Sequence, residues 1–166
     1  MIGDRQLALV PRAADARDLD ALARLWFDGW QDGHAGIVPQ EVADDRTLDS
    51  FRGRLVENLE AVRTVGAPAA PLGFSLIRSD ELYQFYVDRA ARGSGVATML
   101  MEDAEARLRS AGVGTAWLAC AIGNARAARF YEKHGWKRVE VATIALSLRT
   151  GEFPIDVWRY EKVLSG

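Results

Sequence analysis

The chain is nearly without cysteine. Cys120 stands alone among 166 residues, so no internal disulfide can form, and a single thiol favours a reducing, cytoplasmic setting. An excess of charge of one sign is also missing: 21 Lys and Arg stand against 23 Asp and Glu, a net charge of −2. The broad basic face with which nucleic-acid binders meet phosphates is therefore not expected, and no nucleic acid is expected as a partner. Long apolar runs are absent too. The longest uncharged stretch, Ser110 to Ala125, has 16 residues and holds three glycines, whereas a membrane-spanning helix needs about 20 mostly apolar residues. Asp4 and Arg5 are followed by no extended apolar core, so neither a signal peptide nor a membrane partner is expected. Two histidines and one cysteine offer no ligand cluster, and no metal is expected.

What remains is an ordinary globular composition, 49% hydrophobic and 27% charged. Its length suits one domain over residues 1–166, with a core large enough to fold without staples. Hydrophobic periodicity predicts the elements. Leu7–Val10, stopped by Pro11, reads as a strand. Asp15 or Asp18 then caps a helix whose stripe is Leu19, Leu22, Leu25, Trp26 and Trp30, ended by Gly33 and Gly36. Thr47 or Asp49 opens a second helix through Phe51, Leu55 and Leu59. Strands follow near 61–65 and 72–78, joined by the turn at 67–71, and again at 81–87. A helix is expected from Val96 to Ala111, with Asp103–Arg107 and Glu105–Arg109 as ion pairs on its outer face. The apolar run 115–122 reads as a buried strand, Asn124 as the N-cap of a helix ending at Gly135, and 139–148 and 155–162 as closing strands. The fold class is α/β (α+β), a central mixed sheet of about seven strands with helices on both faces.

Chemistry concentrates where the strand ending at Val87 passes through Asp88–Gly95 into the helix at Val96. Glycines at such a turn expose backbone N–H groups, and the first turn of a helix has spare donors and a positive dipole end, which together suit a pyrophosphate. A phosphate loop of the Gly-x-x-x-x-Gly-Lys-Ser/Thr type fails, because no Lys-Ser/Thr pair follows Gly95. A dinucleotide fingerprint fails at its third glycine, where Thr98 stands.

Arg92-Gly93-Ser94-Gly95-Val96-Ala97 instead resembles the Gln/Arg-x-x-Gly-x-Gly/Ala motif of the GNAT superfamily of N-acetyltransferases. About thirty residues on, Asn124-x-x-Ala127-x-x-Phe130-Tyr131-Glu132-Lys133-His134-Gly135-Trp136 is similar to the family's second motif, with Trp136 in place of the usual Phe. The resemblance implies a GNAT-like fold and an acetyl-CoA donor. It implies a donor site at Arg92, Gly93, Ser94, Gly95, Val96 and Ala97 for the pyrophosphate, at Phe85, Tyr86 and Val87 for the pantetheine arm, and at Asn124. It also implies that Tyr131 touches the donor and acts as the acid for the departing thiolate. Glu81, eleven positions before Arg92, stands where acetyltransferases of the histone type carry a glutamate base; Asp80, His34 and Asp156 compete with it. Trp30, His34 and Trp158 are candidates to bind the acceptor, the tryptophans by stacking on a cation. That acceptor is expected to be an amine of a small molecule or peptide, attacking directly in a ternary complex. A homodimer is a further candidate assembly. The alternative function is a catalytically silent acyl-CoA-binding sensor or assembly domain.

Overall fold

A computed structural model describes residues 9–165. Seven strands form one sheet in the order β1-β2-β3-β4-β5-β7-β6, where β1 is Arg12–Ala13, β2 Val62–Val65, β3 Gly73–Arg78, β4 Glu81–Val87, β5 Thr115–Ala121, β6 Lys137–Leu148 and β7 Gly151–Val163. Every neighbouring pair is antiparallel except β4 and β5, which run parallel. The helices α1 (Leu19–His34), α2 (Gln40–Asp45), α3 (Leu48–Asn58), α4 (Val96–Ser110) and α5 (Ala125–Lys133) divide between two apolar clusters. One gathers α1 and α3 with Phe74 and Leu76 of β3. The other gathers α4 and α5 with Leu118 and Cys120 of β5 and Tyr160 of β7. Trp26 anchors the first, its ring 4.8 Å from Phe51 and 5.4 Å from Phe74.

Several expectations are corrected. The first strand pairs at Arg12–Ala13, after Pro11; Leu9 and Val10 lie in a bend, and Leu7 and Ala8 fall outside the described residues. Helix α1 runs through Gly33 instead of ending there. Its glycines admit neighbours: a Cβ on Gly29 would stand 2.7 Å from the Tyr86 ring, and one on Gly33 2.9 Å from the Asn124 amide. The pairs expected along α4 are replaced by tertiary ones. Asp103 meets Arg63 at 3.4 Å, Glu105 contacts Lys162, and Arg109 donates to the Leu164 carbonyl at 2.9 Å. A partner from another element neutralises a buried carboxylate where one on the same exposed helix face cannot. Strand β7 begins at Gly151 and includes Pro154, tolerated because β7 pairs there with β6 alone; β5 reaches only to Val157.

The entry to α1 is held by one carboxylate. Asp18 is fully buried and accepts from the Arg12 guanidinium at 2.9 and 2.8 Å, and from the N–H groups of Asp15 and Ala69, each at 3.0 Å. Burial pushes its pKa up, but the hydrogen bonds from Arg12 and the backbone outweigh it and hold the carboxyl below its ordinary value. Removing one partner of such a pair typically costs about 3–5 kcal/mol, so Asp18→Ala should lower the urea midpoint sharply with an unchanged m-value. Because the folded pKa is the lower one, this stabilisation is complete above the ordinary carboxylate pKa. It fades as pH falls through the depressed value, narrowing the gap to Asp18→Asn in acid.

Candidate active site

Strands β4 and β5 touch at one point. Glu81 faces Trp117, and the Trp117 N–H donates to the Asp80 carbonyl at 3.2 Å. Beyond that pair β4 runs on to Val87 and β5 to Ala121 with no further bridge, so the sheet opens into a V. Strand β4 carries a bulge: Leu76 pairs with Gln84 and Ile77 with Leu82, which leaves Tyr83 as the extra residue. At its far end the Asp88 N–H donates to the Leu72 carbonyl at 2.8 Å. Alternation along an antiparallel ladder then gives Tyr86 and Gln84 to β3 and turns the backbone groups of Phe85 and Val87 to the open edge.

The wide end of the V meets the loop before α4. The Asp88 carboxylate accepts from the Ala90 N–H at 2.9 Å, and the Ser94 N–H donates to the Ala91 carbonyl at 3.2 Å. Gly93 (φ 78°) and Gly95 (φ 88°) adopt the left-handed conformation that glycine takes without strain. Gly95 is the N-cap of α4 and has no side chain to cap with; the first bonded amide is Met99, to the Gly95 carbonyl at 3.0 Å. Among the described residues, the N–H groups of Gly93, Gly95, Val96, Ala97 and Thr98 therefore have no acceptor. Nothing lies within 4 Å of a Cβ placed on either glycine. Arg92 stands beside this patch, 3.5 Å from Asp32 of α1. Free donors, a helix dipole and an arginine in open space form an anion cradle.

Helix α5 supplies a wall. The Asn124 side chain caps it, accepting from the Ala127 N–H at 3.3 Å. Phe130 stacks on Phe85 with centroids 5.4 Å apart and meets Tyr131 edge-on at 5.7 Å. Burial, with Cys120 and Tyr86 nearby, raises the Tyr131 pKa, so the phenol keeps its proton at neutral pH. Cys120 is 3% exposed, and burial pushes its thiol up to about 11, which makes it a poor nucleophile.

The floor comes from α1 to α3 and the apex of the V. Glu81 is 8% exposed; burial raises its pKa, and its nearest cation, Arg78, lies 3.8 Å away. The His34 ring stacks on Trp30 at 5.0 Å, and its Nδ1 lies 3.1 Å from the Trp30 carbonyl. That carbonyl can only accept, so Nδ1 carries the proton, and burial lowers the pKa and keeps the ring neutral. Two groups that the sequence did not reveal, Arg46 and Arg54, also face the space.

Together these walls enclose a cleft of about 420 Å³. Of the residues singled out from sequence, Glu81, Phe85, Tyr86, Val87, Trp30 and His34 line it. So do Arg92, Gly93, Ala97, Asn124 and Tyr131. Ser94 and Gly95 lie at the loop rim, and the Val96 side chain packs inward against Val65 and Leu100. Trp158 stands apart: it points to the α5 layer, and the Arg138 guanidinium covers its ring at 4.3 Å. His34 faces the cleft because the helix continues through Gly33 and turns the ring inward. Among the described residues no group of three or more His, Cys, Asp or Glu converges, and no helix is long and apolar enough to cross a membrane.

A V-shaped gap between two parallel strands thus leads to an uncapped, glycine-rich helix start, a cleft that pairs an open strand edge with an anion cradle. The model of the acetyltransferase (GNAT) family matches residues 19–136, more than two-thirds of the chain, and the protein belongs to that family. Solved structures agree in fold. A GCN5-related N-acetyltransferase from Rhodopseudomonas palustris is 20% identical with a TM-score of 0.69, the match covering 94% of this chain and 96% of that one. The PaiA N-acetyltransferase from Thermoplasma acidophilum, in complex with coenzyme A, is 19% identical with a TM-score of 0.65, over 93% and 98%. A ribosomal-protein-alanine N-acetyltransferase from Brucella melitensis is 19% identical with a TM-score of 0.67, over 93% and 99%. No curated protein matches the chain in sequence.

Proposed function

We propose that this chain is a single-domain N-acetyltransferase that moves an acetyl group from acetyl-CoA to the amine of a small molecule or peptide, with both substrates bound at once. The observation that carries this reading is the open edge of β4 leading to the acceptor-free N–H groups at the start of α4. Phe85 and Val87 offer backbone donors and acceptors to the two amides of pantetheine, as an added strand would receive them. Gly93, Gly95, Val96 and Ala97 offer N–H groups to the pyrophosphate, and Arg92 offers charge. The donor supplies an activated thioester carbonyl. Glu81, at the apex, takes a proton from the acceptor as its nitrogen bonds to that carbon. Tyr131 gives its phenolic proton to sulfur as the C–S bond breaks, and solvent restores both groups. Cys120, buried and protonated, takes no acyl group. A thermal-shift comparison of acetyl-CoA with NAD and ATP tests the binding half, and release of free thiol with an amine panel tests the transfer. Stabilisation by acetyl-CoA without thiol release from any amine would favour the silent sensor.

The pH dependence carries a sign. Burial raises the Glu81 pKa, and only the ionised carboxylate is a base, so the acid limb of kcat/KM should lie above the ordinary carboxylate range. Glu81→Gln should erase that limb and keep affinity for acetyl-CoA. Superimposable profiles would remove Glu81 from the mechanism and move attention to His34, whose Nε2 is left as the acceptor nitrogen.

A further inference from the structure

The acceptor end of the cleft is not acidic throughout. It holds a carboxylate, Glu81, at the apex, and two guanidinium groups, Arg46 and Arg54, on the helical side. Arg46 is 4% exposed, and its charge is met: Nη1 donates to Asp45 at 2.9 Å and to the Ser147 carbonyl at 3.0 Å. Asp45 is already shared, since it also accepts from the Arg149 N–H at 2.7 Å. Arg54 is different. Its guanidinium lies over the Trp26 ring at 4.8 Å, and Nη2 donates to the Tyr83 hydroxyl at 2.6 Å. Among the described residues no carboxylate lies within 4.0 Å of it. Stacking satisfies the face of a guanidinium but not its in-plane N–H donors, which form the fork that grips a carboxylate. A half-buried cation with spare in-plane donors, beside a second buried cation, is costly until an anion joins it.

From this placement, and resting on the acetyltransferase reading, we infer that Arg54 is an anion subsite and that the acceptor is a small zwitterionic amine, one whose molecule also bears a carboxylate. Glu81 and Tyr83, the residue that holds Arg54, stand two positions apart on β4, and Glu81, Tyr83 and Arg54 line the same cleft. One end of the acceptor, the amine, meets the Glu81 carboxylate; the other, the carboxylate, meets Arg54. The size agrees, because the 420 Å³ cleft must hold the acyl end of the donor as well as the acceptor. Two features point away from the cation-stacking acceptor expected from sequence. His34 already covers the Trp30 face, and Trp158 lies outside the cleft.

Matched pairs test the inference: leucine against isopentylamine, methionine against 3-(methylthio)propylamine, and phenylalanine against phenethylamine, each read as thiol release from acetyl-CoA. Hydrogen bonds to charged groups contribute about 1.5–3 kcal/mol, so the amino acids should lead their decarboxylated partners by ~10–100-fold in kcat/KM. Arg54→Gln should collapse that ratio toward one, chiefly through the acceptor KM, and Arg54→Lys should restore part of it. Amines that equal or exceed the amino acids in the wild type, or a ratio that survives Arg54→Gln, would overturn the inference. Should Arg54→Gln fail to fold, the wild-type ratios and Arg54→Lys still decide. Absence of thiol release with every amine is a failure of the acetyltransferase reading instead. The subsite is then judged by melting temperature: leucine and 4-methylpentanoate should stabilise the wild type and isopentylamine should not, and the reverse order would refute it.

Discussion

Tyr131→Phe should bind acetyl-CoA as the wild type does and turn over ~10²–10⁴ times more slowly, the usual contribution of a positioned general acid. The substitution removes one oxygen and keeps the ring that meets Phe130 edge-on and faces Tyr160 at 6.0 Å. The wall of the cleft should therefore be retained. What goes is a proton donor whose pKa burial holds above its ordinary value, so that it reaches neutral pH fully protonated. Steady-state kcat with the best acceptor, beside a donor titration, separates the two effects. A loss smaller than about threefold would leave the thiolate to be protonated by water and remove Tyr131 from the chemistry.

Gly95→Asp should abolish donor binding with little loss of stability. Gly95 is the N-cap of α4, its position is open to solvent, and the amides of Val96, Ala97 and Thr98 have no acceptor among the described residues. An aspartate here would set a carboxylate beside the free N–H groups and the positive end of the helix dipole. Its carboxylate would take the free donors and seal the cradle from within, as a built-in substitute for the phosphate. The left-handed φ of 88° costs a non-glycine residue about 1–2 kcal/mol, offset in part by about 0.3–1 kcal/mol from an anion at a helix N-terminus. The melting temperature should therefore move little. Losing two charge-assisted hydrogen bonds of about 1.5–3 kcal/mol each weakens binding by ~10²–10⁴-fold, before the like-charge repulsion is added. Calorimetric titration with acetyl-CoA against a melting curve reads both. Retained affinity would place the pyrophosphate elsewhere.

The strand–loop–helix half of the cleft was legible because its structure is local. A strand, two glycines and a helix start occupy Glu81 to Ser110 without interruption, and Asn124 caps its helix three residues before Ala127. The half lined by the helices was not. Arg54 reads as a solvated helix arginine in sequence, and only the bulge at Tyr83 brings it a hydroxyl partner across 29 positions. Gly29 and Gly33 look like helix breakers by propensity, yet α1 keeps them because Tyr86 and Asn124 press against its backbone. Asp103 and Glu105 satisfy an i,i+4 rule on paper, but Arg63 and Lys162 compete for them from other elements. The short helix Gln40–Asp45 has too few apolar positions to announce itself.

The single bridge between Glu81 and Trp117 has a mechanical consequence. Along most of their length β1–β4 and β5–β7 are two half-sheets that meet along a seam, and a seam with so few cross-strand hydrogen bonds resists local opening less than a continuous sheet. A ligand lodged in it and gripping both banks reinforces that joint. At a concentration one hundred times its Kd it adds about 2.7 kcal/mol to the stability of the whole. The lifetime of the protein against proteolysis should then lengthen when the cleft is filled and shorten when it stands empty.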